Sequence, residues 1–221
     1  MNSKNEHLRN LQEIRSIMER SSRFMSLSGL SGIFAGIVAL LGALAVYIYQ
    51  KEFFLNRYQN QGVFLSDNLL SGSVLCNFIV FCFVDAFIVL MLALFFAIYF
   101  TTRNARRKGL PFWDATAKRM LLNLFVPLVT GGLFCLILLY HHLVYLIAPS
   151  TLLFYGLALI NASKFTLNDV RYLGICEIAL GLVAMVYIGY GLIFWAFGFG
   201  ILHIIYGLAM YIKYERVTAK S

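Results

Sequence analysis

Residues 172–214 read YLGICEIALGLVAMVYIGYGLIFWAFGFGILHIIYGLAMYIKY, a stretch of 43 residues in which Glu177 and His203 are the only acidic or imidazole side chains. As one helix it would be about 65 Å long at 1.5 Å per residue, twice the roughly 30 Å of a bilayer's hydrocarbon core. It therefore predicts two antiparallel crossings, turning at Gly189-Tyr190-Gly191, the only turn signal available. The fifth span falls at about 172–188 and the sixth at about 192–212.

The same arithmetic applies upstream. Met120 to Ala162 is too long for one crossing, and His141, His142 and Pro149 mark its bend. That places spans at 120–140 and 147–163, with Pro127 inside the first, tolerable if a neighbour satisfies the carbonyl it leaves free. Two further apolar runs, 27–49 and 73–100, bring the total to six. The chain is thus predicted to be all-α, a polytopic helical bundle over residues 27–213 with a cytoplasmic tail at 214–221. Residues 1–26 are predicted to form an amphipathic interfacial segment, since Leu8, Leu11, Ile14 and Met18 recur at helical spacing and Arg9 with Glu13 and Arg15 with Glu19 are four apart.

Composition agrees: 61% of the 221 residues are hydrophobic and 13% are charged, about half the charge of a soluble domain. The net charge of +8 does not point to nucleic acid, because the basic residues sit in short segments between apolar runs. With both termini inside, 16 of the 18 Lys and Arg fall on the cytoplasmic side, leaving Lys51 and Arg57 outside. The densest cluster, Arg103, Arg106, Arg107 and Lys108, lies on a cytoplasmic loop suited to anionic lipid head groups or a cytoplasmic protein partner. The four cysteines fall in apolar runs without paired spacing, and no metal-ligand set or cofactor motif is visible, so none is expected.

Three ionisable side chains remain at membrane depth: Asp85, Glu177 and His203. Each must be neutral, paired or wet, because an isolated charge there costs several kcal/mol. Glu177 lies 13 residues before Tyr190 and His203 lies 13 after it, so the final hairpin sets them level. Gly174 and Gly181 flank Glu177, and Gly200 and Gly207 flank His203 at matching intervals. The spacing predicts Gly174 against Gly207 and Gly181 against Gly200, bracketing a polar pair that either titrates or clasps the hairpin. Asp85 is level with Thr130, and is expected either to stay neutral and donate to Thr130 or to a backbone carbonyl, or to serve as a protonation-coupled transport or sensing residue. Asn123 and Asn161 come level near the cytoplasmic ends of their spans, where water is available to both.

Gly29-Leu30-Ser31-Gly32 resembles the GxSG serine motif of rhomboid intramembrane proteases, but it opens the first span instead of a later one. Ser28, Gly32 and Gly36, four apart, fit a helix-packing face better. The run Ile17 to Phe24 followed by Ser26-Leu27-Ser28-Gly29-Leu30-Ser31-Gly32, with the tail Ile205-Tyr206-Gly207 to Arg216, resembles a family of small multi-pass bacterial inner-membrane proteins that carries no assigned activity. That resemblance implies a bacterial inner membrane and a sensory or regulatory role. A non-enzymatic sensory or partner-binding protein, able to self-associate, is therefore expected first. A proton-coupled carrier using Asp85, Glu177 and His203 comes second, and a membrane-embedded enzyme third.

Overall fold

A computed structural model describes residues 27–60, 72–109 and 113–216, with side chains described outside 53–60 and 72–76. The expected N-terminal amphipathic segment and the end of the tail lie outside the described residues. Those described are mostly helical, with no strand among them. Six helices follow one another: α1 (Gly29–Asn60), α2 (Gly72–Arg107), α3 (Ala115–Tyr140), α4 (Ile147–Ala162), α5 (Asp169–Val186) and α6 (Gly191–Glu215). All but α5 are long and apolar enough to cross a bilayer, α4 being counted with its flanking 3-10 turns as Val144–Phe165. α5 has 18 residues, of which Asp169, Arg171 and Glu177 are ionisable, so its composition alone does not mark it as a crossing.

Several helices outrun the apolar stretches that announce them. α1 continues to Asn60 and α2 to Arg107, because backbone hydrogen bonding extends into polar sequence wherever no breaker intervenes. α3 begins at Ala115, where the Asp114 carboxylate accepts from the Ala117 amide at 2.6 Å, an N-cap that satisfies one orphan donor. The α3–α4 turn is made at His141 and His142, the latter at φ 60°, and the α5–α6 turn has Gly189 at φ 103°. The second value lies where a side chain is disfavoured and glycine is not.

Apolar side chains face outward along most of the surface. Leu41, Phe87, Leu122, Val126 and Ile193 are each more than 60% exposed, a surface that water would penalise and lipid would not.

The helices pack in a chain of neighbours. α2 lies against α1, α1 against α6, and α4 sits centrally, touching α3, α5 and α6. On the α1–α2 seam, Phe34 stacks with Phe96 and Phe100 at centroid distances of 5.1 and 4.9 Å, and Tyr49 stacks with Phe81 at 4.0 Å. The other seams rest on glycine. A Cβ on Gly36 would lie 2.6 Å from the Gly200 carbonyl oxygen, and one on Gly207 would lie 2.6 Å from that of Gly29. On the α4–α5 seam a Cβ on Gly156 would meet the Gly174 carbonyl at 2.6 Å, and one on Gly174 would meet that of Gly156 at 2.8 Å.

This corrects the glycine pairing expected from the final hairpin. Gly174 and Gly181 face α4, while Gly200 and Gly207 face α1 through Leu40, Gly29, Gly32 and Ile33. Consecutive helices of a hairpin are not obliged to be each other's tightest neighbours. Here α4 takes the close contact with α5, and α1 takes the one with α6.

Candidate functional site

Polar ties gather at the end of the bundle where α1 starts and α6 stops. The first-turn amide of Gly29 donates to Glu215 Oε1, so the end of α6 caps α1. Asn104 Nδ2 on α2 donates to the Leu27 carbonyl at 3.1 Å. Asp169, opening α5, accepts from Lys213 Nζ at 2.9 Å and from the Tyr214 hydroxyl at 2.6 Å. Burial pushes the Asp169 carboxyl up, but the Tyr214 hydrogen bond and the Lys213 ammonium outweigh it and hold the group below its ordinary value. Every acid described at this end, Asp114, Asp169 and Glu215, is thus engaged, whereas Arg103, Arg106 and Arg107 stand exposed on the last turns of α2 without an ion pair among the described residues.

Pro127 sits inside α3 and has no amide hydrogen, so the Asn123 carbonyl four residues earlier loses its helical donor. Asn161 Nδ2 on α4 donates to that oxygen at 2.9 Å. The two asparagines, expected to be left to water, instead repair the gap that the proline makes.

The buried polar centre lies between α4, α5 and α6. Glu177 is 0% exposed and His203 is 7% exposed. His203 Nδ1 lies 3.0 Å from the Gly198 carbonyl oxygen and 3.5 Å from Glu177 Oε1, and its Nε2 lies 2.8 Å from the Tyr155 hydroxyl on α4. A carbonyl only accepts, so Nδ1 carries a proton. Neutral His203 then accepts from Tyr155 through Nε2. Among the described residues neither Glu177 oxygen has a hydrogen-bond partner, the Nδ1 proton being aimed at Gly198.

The helix is wound to suit this arrangement. Residues Ala196–Leu202 form a π-helix, whose i→i+5 hydrogen-bond interval matches the separation of Gly198 and His203. Gly198 carries no side chain where one would strike Glu177, since a Cβ there would lie 2.5 Å from Oε2 and 2.5 Å from Leu152 Cδ2. Phe199 tilts against Tyr155 at 4.9 Å and against Trp195 at 5.0 Å, walling the imidazole with aromatic carbon.

The final hairpin therefore brings Glu177 and His203 together, with α4 supplying the third member. Sequence reasoning missed Tyr155. Its signal is that α4 holds one tyrosine in an otherwise apolar middle, a hydroxyl that must find a partner.

Asp85 does not join the cluster. It sits on α2 against α1, where a Cβ on Gly42 would lie 3.1 Å from Asp85 Oδ2. No hydrogen bond reaches it among the described residues, and it meets α1 at Gly42, whereas His203 and Gly200 meet α1 at Gly32 and Gly36. The expected contact with Thr130 is absent too, for Thr130 Oγ1 donates to the Val126 carbonyl one turn back at 2.9 Å. Equal depth does not imply adjacency, and α2 and α3 pack on different neighbours. The Ser31 hydroxyl of the rhomboid-like tetrapeptide donates to the Ser28 carbonyl. No family model, curated protein or solved structure matches this chain.

Proposed function

We propose that this is a non-enzymatic integral protein of a bacterial inner membrane, crossing six times with both termini in the cytoplasm, and that its role is sensory or regulatory. In this reading the Glu177–His203–Tyr155 cluster couples one proton to the packing of α4, α5 and α6. The cationic face then offers that state to anionic lipid head groups and a cytoplasmic partner. The carrying observation is a fully buried carboxyl without a hydrogen bond among the described residues, 3.5 Å from an imidazole.

Two arrangements of the pair are free of net charge: neutral acid with neutral imidazole, and carboxylate with imidazolium. Both contain the same number of protons. Removing one leaves a bare carboxylate among Leu152, Leu180 and Gly198, which costs several kcal/mol away from water. Loss of the proton is therefore tied to rearrangement of the helices, which is what a sensor requires. The orientation is supported by the 16-to-2 partition of Lys and Arg.

Trp195, against Phe199, is a built-in reporter. In nanodiscs, with Trp113→Phe to silence the other tryptophan, Trp195 emission is expected to change with pH, and Glu177→Gln to abolish the change. Emission that is flat with pH, or still pH-dependent in Glu177→Gln, would overturn the proposal.

A proton-coupled carrier is favoured by one observation, the mid-span Asp85 carboxyl that has no hydrogen bond among the described residues. Proton flux in proteoliposomes that is lost in Asp85→Asn would establish it, and unchanged flux would remove it.

A further inference from the structure

Between the buried cluster and the polar end of the bundle, α6 carries a stripe of side chains. His203, Tyr206, Met210 and Tyr214 recur at intervals of three, four and four, along one face of the helix. Tyr155, Tyr206 and Tyr214 all pack against the same buried patch of Leu159, Leu167, Val170, Leu173 and Met210. The two ends of the stripe are anchored by hydrogen bonds, Tyr155 to His203 at 2.8 Å and Tyr214 to Asp169 at 2.6 Å.

Tyr206 lies between them. Its hydroxyl is sealed and has no hydrogen-bond partner among the described residues. It nevertheless shares that patch with Tyr155 on one side and Tyr214 on the other. A buried hydroxyl without a partner costs about 1–3 kcal/mol, and a tyrosine in an apolar patch that wanted only volume would be served by phenylalanine.

We propose that Tyr206 is the middle link of a proton relay running from Asp169 through Tyr214, Tyr206 and Tyr155 to His203 and Glu177, giving the buried cluster access to one end of the bundle only. The proposal rests on the reading of the cluster as the holder of a titrating proton. α4 contributes Tyr155 to the relay, α5 contributes Asp169 and Glu177, and α6 contributes His203, Tyr206 and Tyr214, with Lys213 beside the entrance.

From 203 to 214 the helix rises about 16 Å, more than direct contacts between these side chains close, so the relay requires a transient water to reach the sealed Tyr206 hydroxyl as the helices open. Each hydroxyl takes a proton on its oxygen from one side and releases its own to the other, ending unchanged. At the inner end, the Nε2 lone pair of His203 accepts the proton. The resulting imidazolium keeps its Nδ1 proton beside Glu177 Oε1, as an ion pair or as a protonated acid after transfer. No oxidant, reductant or leaving group is needed.

The test is infrared spectroscopy of the whole protein in nanodiscs, following hydrogen–deuterium exchange of a carboxyl band assigned to Glu177 by its loss in Glu177→Gln. Tyr206→Phe, which keeps the ring and removes the hydroxyl, is expected to slow that exchange about tenfold or more, equivalent to a barrier raised by about 1.4 kcal/mol. Asp169→Asn is expected to slow it as well, and Tyr187→Phe, at the other end of the bundle, to leave it unchanged. Exchange in Tyr206→Phe as fast as in the wild type overturns the relay while leaving the proton-holding cluster intact. Slowing by Tyr187→Phe but not by Asp169→Asn would place the access at the wrong end and also overturn it. Absence of any exchangeable band that Glu177→Gln removes would overturn the cluster reading and the relay together.

Discussion

Asn161 donates at 2.9 Å to the Asn123 carbonyl that Pro127 deprives of its helical partner. Replacing Asn161 by Ala removes that donor and leaves the oxygen unpaired. Interhelical hydrogen bonds in membranes average about 0.6 kcal/mol and reach about 1.7 kcal/mol, so the substitution is expected to destabilise the fold within that range. Pro127→Ala restores an amide at residue 127 that can bond Asn123 along the helix. In that background the Asn161 donor becomes redundant, and Asn161→Ala should cost little.

The double-mutant cycle isolates this interaction. Asn161 also accepts from Lys164 at 3.3 Å, but that bond is lost in both backgrounds and cancels. A coupling of about 0.6–1.7 kcal/mol, or about 3- to 18-fold in the unfolding equilibrium, is expected. Steric trapping in bicelles measures each corner of the cycle. Additive costs, with Asn161→Ala equally harmful in the wild type and in the Pro127→Ala background, would refute the repair of a proline gap.

Gly36→Leu is expected to cost about 1–3 kcal/mol by overpacking, because a Cβ there would already lie 2.6 Å from the Gly200 carbonyl. Gly132→Ala, with nothing within 4 Å, should be neutral or stabilising by up to about 1 kcal/mol, and the same unfolding assay ranks the two. Asp169 is held below its ordinary carboxyl value by Tyr214 and Lys213, so its contribution is full above the unfolded value and is lost as pH falls through the lower folded value. Asp169→Asn should therefore weaken the fold at pH 7 by a small amount, given the exposure of Lys213, and match the wild type once pH drops below both values. A cost that persists unchanged into acid would contradict the ionic account.

Apolar run length made the helices and their turns legible, because the thickness of a bilayer converts directly into residues. It could not tell where α1 and α2 end, since a helix stops at a breaker and not at the edge of lipid. Depth arithmetic placed Glu177 beside His203 because the short turn at Gly189 fixes the register of the hairpin. The same arithmetic failed for Asp85 and Thr130, where no short turn ties the two helices and lateral position is set by packing. The glycines were visible as packing sites, but their partners were not. A small residue permits close approach without naming the helix that will make it. The π-helix from Ala196 to Leu202 left no trace in the apolar periodicity, and with it the Gly198 carbonyl that orients His203 was hidden.

The central claim is that an acid and an imidazole share a sealed site, with the imidazole orientation fixed by Gly198. Solid-state NMR of the protein in bilayers, with labelled histidine and glutamate and His203→Gln to assign the signal, measures this directly. The account predicts a protonated Nδ1 on His203 and a dipolar contact between that nitrogen and the Glu177 carboxyl carbon, in keeping with the 3.5 Å approach of Nδ1 to Oε1. A His203 whose Nδ1 is bare, or one that has no coupling to Glu177, would contradict it.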